Sequence, residues 1–543
     1  MAFSQMSGPD RMRWLFVPAI AIALLGIGLD VAQWLRAIPL WVDEEMIAIN
    51  IRDRSIVDLA GPLWLGQSAP LAWLVAQRFV IVTLGDSELM LRLVPLLFGI
   101  ATTGAALWIG RRWLHPFSAA LLVLICVLGQ WLSHYRFELK HYSADAFWAL
   151  LLPALAAWAV DEEDGVERAP WRWTRWWAVA ALAQWSANGA FLVVPGCAAV
   201  MLALILSRHG RQAAIRFAAT GILWLASFGV HYLLSLQYAH HSRYLNDYWS
   251  AHVVPPSMGL IESVTWMGAQ LERVASNPGG ATLGLLLWAA AFSGFAFSNR
   301  RGLAGMFVTV PVVAVALGTL RLVPIGDRLA LWIVPSLYVG VVLLFERGVD
   351  LVAAGSRSPR PLRLAAGAFA VACGMFVAGN IAVQGYRQLD LGLPTDTNHA
   401  LDDRRAVRWL MERRQPGDAL LSNRLAWPAL WWYGGISLAD VRPGGRLPDG
   451  TAMYEVTHEL STPGCGQRMR DALKSHRRVL LYVGFPDKAD GFYEMVVREF
   501  ATIGTVTEQS GFGPLSRTAV IELDGRVPSP ITDCVVVYPQ RRW

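Results

Sequence analysis

The stretch LWVDEEMIAIN, Leu40 to Asn50, sets three carboxylates side by side directly after a long apolar run: Asp43, Glu44 and Glu45. Adjacent carboxylates repel, so such a run either opens a helix, whose positive end favours acids, or supplies a group that chemistry needs. In the first case Asp43 caps a short helix EEMIAINIRD, a common arrangement. In the second, a carboxylate accepts the proton of an attacking hydroxyl, and crowding by Glu44 raises the Asp43 pKa toward a useful range.

Cations stand in two other segments. SHYRFELKHYSADAF, Ser133 to Phe147, carries Arg136, Lys140 and His141. Continuing the following helix backwards puts Arg136 and Lys140 one turn apart and His141 above Asp145. RLVPIGDRLALWIVP adds Arg321, Asp327 and Arg328, and HHSRYLNDYW adds Arg243. Simpler readings exist for each: a basic rim that snorkels at a helix end, or an Asp327–Arg321 surface pair contributing less than about 1 kcal/mol. Cations hold and neutralise a phosphate. A carboxylate beside several of them suits group transfer from a lipid phosphate.

The elements that position these residues are membrane helices. Of the 543 residues 55% are hydrophobic and only 16% charged, against about 25% charged in average soluble domains. About eleven apolar stretches are long enough to span a bilayer, near 14–33, 92–110, 116–133, 143–160, 174–188, 190–206, 217–237, 281–297, 303–320, 328–345 and 363–384. Many of the 25 Trp residues crowd at their ends, as in WRWTRWW, where amphipathic rings favour the headgroup layer. Arg11 and Arg13 precede the first stretch with no small-x-small cleavage site after it, so it reads as a retained span. Alternate loops hold Arg111 and Arg112, Arg208 and Arg211, and Arg300 and Arg301. The positive-inside rule places those loops and the N-terminus in the cytoplasm, and Asp43 outside. Arg136, Lys140, Arg321 and Arg328 then sit in short outer loops, where basic residues are disfavoured. An anion there would explain them.

The chain thus reads as a polytopic α-helical membrane domain over 1–384, with long outer loops at 34–91 and 238–280, followed by an extracytoplasmic α/β domain over 385–543. Segments of the first long loop, broken by Pro62 and Pro70, are expected to lie along the membrane surface. In the C-terminal part, TNHALDDRRAVRWLMERR reads as an amphipathic helix, DGFYEMVVREF as another, and RRVLLYVG, TAVIEL and CVVVY as strands. Cys465 and Cys534, the two cysteines of that part, suggest a disulfide in an oxidising compartment. The net charge of +6 comes largely from Arg-rich loops, not from a basic patch on a soluble domain, which argues against nucleic acid as a partner. No Walker loop, dinucleotide fingerprint or zinc spacing is found.

Three segments, LWVDEEMIAINI, GDSELMLRLVPLLFGI and RFELKHYSADAFWALLL, together resemble the GT-C superfamily of membrane glycosyltransferases, in the family-39-like group of protein O-mannosyltransferases and aminoarabinose transferases. The resemblance is greatest over the first 160 or so residues and implies about eleven transmembrane helices of GT-C type. It implies an inverting, multi-pass enzyme of the plasma (inner) membrane that moves a sugar from a polyprenyl phosphate to an acceptor hydroxyl on a glycolipid, envelope glycan or protein. It casts Asp43 as general base and Glu44 as orienting acceptor or sugar, and places Arg136, Lys140, Tyr142 and Arg328 at the donor phosphate. His141, Arg243 and Arg321 remain candidate substrate contacts. The superfamily varies in metal use, and neither a metal nor another cofactor is predicted. The alternative is a polytopic transporter or lipid flippase, which would place its polar residues near the bilayer midplane and often show repeated halves.

Overall fold

The computed structural model describes residues 15–161, 169–357, 361–389, 401–437, 445–456, 473, 475–485, 491–501, 503–513, 515–524 and 535–537. Helices dominate. We number the main ones α1 Val17–Trp34, α2 Val42–Asp53, α3 Leu71–Leu84, α4 Leu93–Trp113, α5 Pro116–Leu128, α6 Tyr142–Ala159, α7 Ala169–Ala183, α8 Asn188–His231, α9 Leu260–Ser276, α10 Gly284–Phe297, α11 Arg301–Thr319, α12 Val334–Arg357 and α13 Pro361–Gln388. Among the described residues, seven helices are long and apolar enough to cross a membrane. Each apolar stretch of the sequence coincides with a helix, but two share one. The stretches near 190–206 and 217–237 both lie on α8, which bends at Gly210, where φ is +80°. Only glycine adopts that conformation cheaply.

An apolar core joins these helices except α2 and α3, with Leu122, Ile125, Ala149, Leu152, Val194, Phe307 and Tyr338 all essentially inaccessible. Where no water drives helices together, close backbone approach does, and small residues allow it. The pairing of α12 with α13 is an example: a Cβ added at Gly348 would lie 2.7 Å from the Val371 nitrogen and 2.8 Å from the Gly367 carbonyl.

The C-terminal region is α/β. Strands β1 Ala419–Asn423, β2 Ala452–Val456, β3 Arg478–Gly484, β4 Gly504–Gly511, β5 Ser516–Leu523 and β6 Val535–Val537 form one sheet in the order β4-β5-β3-β1-β2-β6. The central β1 pairs in parallel with β2 and β3, and the outer pairings are antiparallel. Helices α14 Asp403–Arg413, α15 Trp427–Tyr433 and α16 Phe492–Phe500 accompany it. The helices and strands expected here from the amphipathic and β-branched segments are present. Cys465 and Cys534 lie outside the described residues.

The sheet domain does not hang free of the bundle. Leu40, Ile47, Ile51 and Trp73 from the first long loop share a core with Leu410, Trp427, Leu430 and Trp431. Arg52, at the end of α2, donates to the carbonyls of Trp431, Trp432 and Ile436 at 3.2–3.3 Å, and its guanidinium covers the Trp432 ring at 4.9 Å. The Tyr433 hydroxyl accepts the Leu40 N–H at 2.7 Å. Helix α2, which carries the acidic triplet, is therefore wedged between bundle and sheet.

Candidate active site

Helix α2 begins at Val42, and its N-cap is Trp41. Asp43 is thus already inside the first turn and is not the cap that the sequence suggests. Capping falls to Glu44, whose Oε2 accepts the Trp41 N–H at 3.0 Å. That frees the Asp43 carboxylate to face elsewhere, and it meets Arg328 at 2.7 Å.

Arg328 lies on the seven-residue 3₁₀ segment Asp327–Ile333 that runs into α12. Its guanidinium sits 5.3 Å from the ring centre of Trp249, a residue of the second long loop. Lys140, just ahead of α6, is buried and donates to Gln67 Oε1 at 2.7 Å, close enough to Asp43 to act on its charge. Burial pushes the Asp43 carboxyl up, but Lys140, Arg328 and the Arg328 hydrogen bond outweigh it, so the pKa falls below the ordinary carboxylate range. This reverses the sequence-based expectation of a pKa raised by Glu44. Asp43 is ionised at neutral pH and, at 21% side-chain exposure, can be reached.

Glu44 is placed differently from the expectation that it orients a substrate. It is 2% exposed and accepts from Arg92 Nε at 2.8 Å, from Arg92 Nη2 and from the Leu139 N–H at 2.6 Å. Arg92 also binds the Pro39 carbonyl at 3.1 Å. This network ties α2 to the start of α4 and to the segment before α6. It is a brace, with no oxygen of Glu44 turned toward Asp43's partner.

Arg136 is corrected too. Residues 135–141 form turns, and α6 starts only at Tyr142, so Arg136 and Lys140 do not line up on one helix face. Arg136, 1% exposed, pairs with both oxygens of Asp30 on α1 at 2.9 and 3.0 Å and donates to the Cys126 carbonyl. Both of its Nη groups are thus held inside the bundle.

The remaining expected contacts divide. Tyr142 is buried against Tyr135, with ring centres 5.0 Å apart, and lies near enough to Arg328 and Asp43 to interact with both charges. His141 is buried, with Nε2 3.2 Å from Asn188 Nδ2 and 3.6 Å from Asp145. Burial, backed by Lys140 and Arg328, pushes it down to about 3, so it is a neutral positioning group and not a phosphate-binding cation. Arg243 and Arg321 are exposed, and neither joins the cluster. Asp327 accepts from Asn277 Nδ2 at 3.2 Å instead of pairing with Arg321.

Three members of the cluster were not singled out from the sequence. Glu138 is 8% exposed, pairs with His134 at 3.2 Å and acts on both Lys140 and Arg328. Its signal was available as the carboxylate two residues before Lys140. Gln67 and Trp249 carried no such mark, since only the fold brings either loop over the site. A separate group of potential metal ligands, His115, Glu346 and Asp350, lies at the start of α5, the far end of that helix from Arg136. Arg300 and the His115 N–H already occupy Glu346, at 3.3 and 3.0 Å, so the group is satisfied as an ion-pair network.

No family model matches the chain, and no curated protein does. Solved structures do resemble it. ArnT from Cupriavidus metallidurans, bound to undecaprenyl phosphate, superposes with a TM-score of 0.53 at 14% identity, over 94% of this chain and 98% of that one. The same protein in its apo state gives 0.50 at 13% identity, over 94% and 99%. The archaeal oligosaccharyltransferase AglB from Archaeoglobus fulgidus, in complex with an inhibitory peptide and a dolichol phosphate, gives 0.47 at 11% identity, over 90% and 72%. With both ArnT structures matched over nearly their whole length, the chain has the fold of ArnT.

Proposed function

We propose that the protein is an inverting glycosyltransferase that moves a sugar from a polyprenyl-phosphate donor to an acceptor hydroxyl at the outer face of the membrane. The observation that carries this reading is the Asp43 carboxylate held 2.7 Å from Arg328 with Lys140 beside it. A partly exposed base beside two cations is what a displacement at a phosphorylated anomeric carbon requires. The ArnT fold, and the undecaprenyl phosphate that ArnT binds, are consistent with a lipid-linked donor.

In the reaction, the acceptor hydroxyl oxygen attacks the anomeric carbon as the bond from that carbon to the phosphate oxygen breaks. The hydroxyl proton passes to Asp43, and the electron pair leaves with the polyprenyl phosphate. Arg328 exchanges part of its hold on Asp43 for the departing phosphate, and Lys140 does the same from its seat on Gln67. Losing Arg328 from the carboxylate makes Asp43 a stronger base at the moment the proton arrives. Trp249 shields Arg328 from water, where its charge counts for more. Glu44, Arg92 and Arg136 act only by holding the helices in place.

The test is the glycolipid and glycan profile of a deletion strain complemented with wild type or Asp43→Asn. Restoration by wild type alone supports the reading. If Asp43→Asn restores every missing glycan, the base is elsewhere. A transporter would show transport of a lipid or sugar that is unaffected by this substitution.

A further inference from the structure

The third carboxylate of the triplet has no part in the proposed reaction. Glu45 is fully buried, and neither of its carboxyl oxygens receives a hydrogen bond from an N–H or hydroxyl among the described residues. What its carboxyl meets is another one, that of Asp403, the first residue of α14 in the C-terminal domain. Asp403 is 2% exposed, and its Oδ1 accepts from the Tyr482 hydroxyl on β3 and from Ser516 Oγ on β5, the latter at 2.6 Å. The other charged or titratable groups around the pair are accounted for. Glu44 is held by Arg92, and Asp402 by Arg405 at 3.5 Å. Tyr433 on α15 accepts from the Leu40 N–H. No ion pair reaches Glu45 among the described residues.

Two ionised carboxylates cannot share a buried, cation-free contact, because repulsion and lost hydration act in the same direction. One acid and one carboxylate can: the acid donates a short O–H···O⁻ bond. We propose that Glu45 and Asp403 share one proton, and that this pair is the latch positioning α2, and so Asp43, between the membrane bundle and the C-terminal domain. Glu45 donates, and Asp403 accepts while its Oδ1 keeps Tyr482 and Ser516. Residues two apart on a helix point about 200° apart around its axis. Glu45 therefore faces the sheet domain while Asp43 faces Arg328. These are positioning residues, since neither touches the reacting atoms.

The latch has a direction with pH. Burial, and then the neighbouring carboxyl, raise Glu45 far above its ordinary range, and burial raises Asp403. The folded protein then binds more protons than the unfolded chain, so stability falls as pH rises. The single shared proton requires Asp403 ionised, which holds above its own raised pKa of about 6, and the latch opens as pH climbs through the folded-state pKa of Glu45. Only the consequence for Asp43 rests on the transferase reading; the shared proton does not.

The experiment uses the full-length protein in detergent and needs no substrate. Infrared difference spectra between wild type and Glu45→Gln at pH 7 should show a protonated-carboxyl band that the variant lacks. Amide exchange over Val42–Asp53, corrected for intrinsic rates, should accelerate in wild type as pH rises and stay flat in Glu45→Gln, whose amide N–H replaces the shared proton. Glu45→Ala, with no donor, should exchange faster at every pH. If Glu45→Gln does not fold, Asp403→Asn supplies the amide from the other side and should flatten the profile in the same way. Absence of the band in wild type, or an unaltered alkaline acceleration in a folded amide variant, overturns the proposal. Either result would leave the assignment of Asp43 standing, and a silent Asp43→Asn would leave the latch standing.

Discussion

Replacing Arg92 by methionine should destabilise the folded protein by about 3–5 kcal/mol, the usual cost of stranding one partner of a buried ion pair. Glu44 and Arg92 are 2% and 4% exposed as side chains, so solvent discounts little of it. The substitution removes two charge-assisted bonds to Glu44, from Arg92 Nε at 2.8 Å and from Nη2, and two more to the carbonyls of Ile38, at 2.5 Å, and Pro39, at 3.1 Å. It leaves Glu44 with only the Trp41 and Leu139 N–H groups, at 3.0 and 2.6 Å. Bonds of this kind contribute roughly 1.5–3 kcal/mol each, and since they act together the total stays within the range above. Glu44→Gln in the same chain removes the stranded charge, so the double variant should recover most of the loss. The assay is thermal unfolding of the full-length protein in detergent, with all four members of the cycle measured. The brace is refuted if Arg92→Met unfolds like wild type. It is also refuted if Glu44→Gln abolishes sugar transfer while unfolding normally, because Glu44 would then act on substrate.

Other outcomes follow from the same geometry. Lys140→Met removes a cation that holds Asp43 ionised, so burial pushes its pKa upward; the acid limb of the pH–rate profile should move to higher pH, and an unmoved limb would mean that Lys140 does not face the base. Arg136→Met should cost about 3–5 kcal/mol through the stranded Asp30 carboxylate, with Asp30→Asn restoring much of it; a variant that stays stable yet no longer binds undecaprenyl phosphate would return Arg136 to the phosphate site. Truncation after Leu391 strips Trp427, Leu430 and Trp431 from the core they share with Ile47 and Trp73, so the product should aggregate on size-exclusion chromatography; a monodisperse, active truncation would show the joint to be dispensable.

The site was legible in residue types and much less so in directions. Asp43 and Arg328, 285 positions apart in the numbering, fall in one site by residue type and by the family resemblance, and the structure shows an ion pair between them. Arg136 looked equally suited to a phosphate. What decided against it was Asp30, a lone acid inside an apolar run, which is itself a flag because such residues find partners in the bundle interior. The helical extension that aligned Arg136 with Lys140 failed because 135–141 turns instead, closing with the Lys140 N–H on the Glu138 carbonyl at 2.7 Å. The roles within DEE could not be separated by sequence. Adjacent helical residues point about 100° apart, and three identical functional groups were sent to a cation, a brace and another acid. Apolar length located the helices, yet the bend at Gly210 left two expected stretches on one helix.

The central claim is that Asp43 receives the acceptor's proton while Lys140 and Arg328 hold the donor phosphate. The most direct test is single-turnover transfer from a radiolabelled polyprenyl-phosphate sugar, with wild type and Asp43→Asn each saturated with donor, on the acceptor that glycan profiling of the deletion strain reveals. The account predicts unchanged unfolding and retained donor binding, with transfer slowed about 10²–10⁴-fold, the usual contribution of a positioned base. Transfer by Asp43→Asn at the wild-type rate would contradict it.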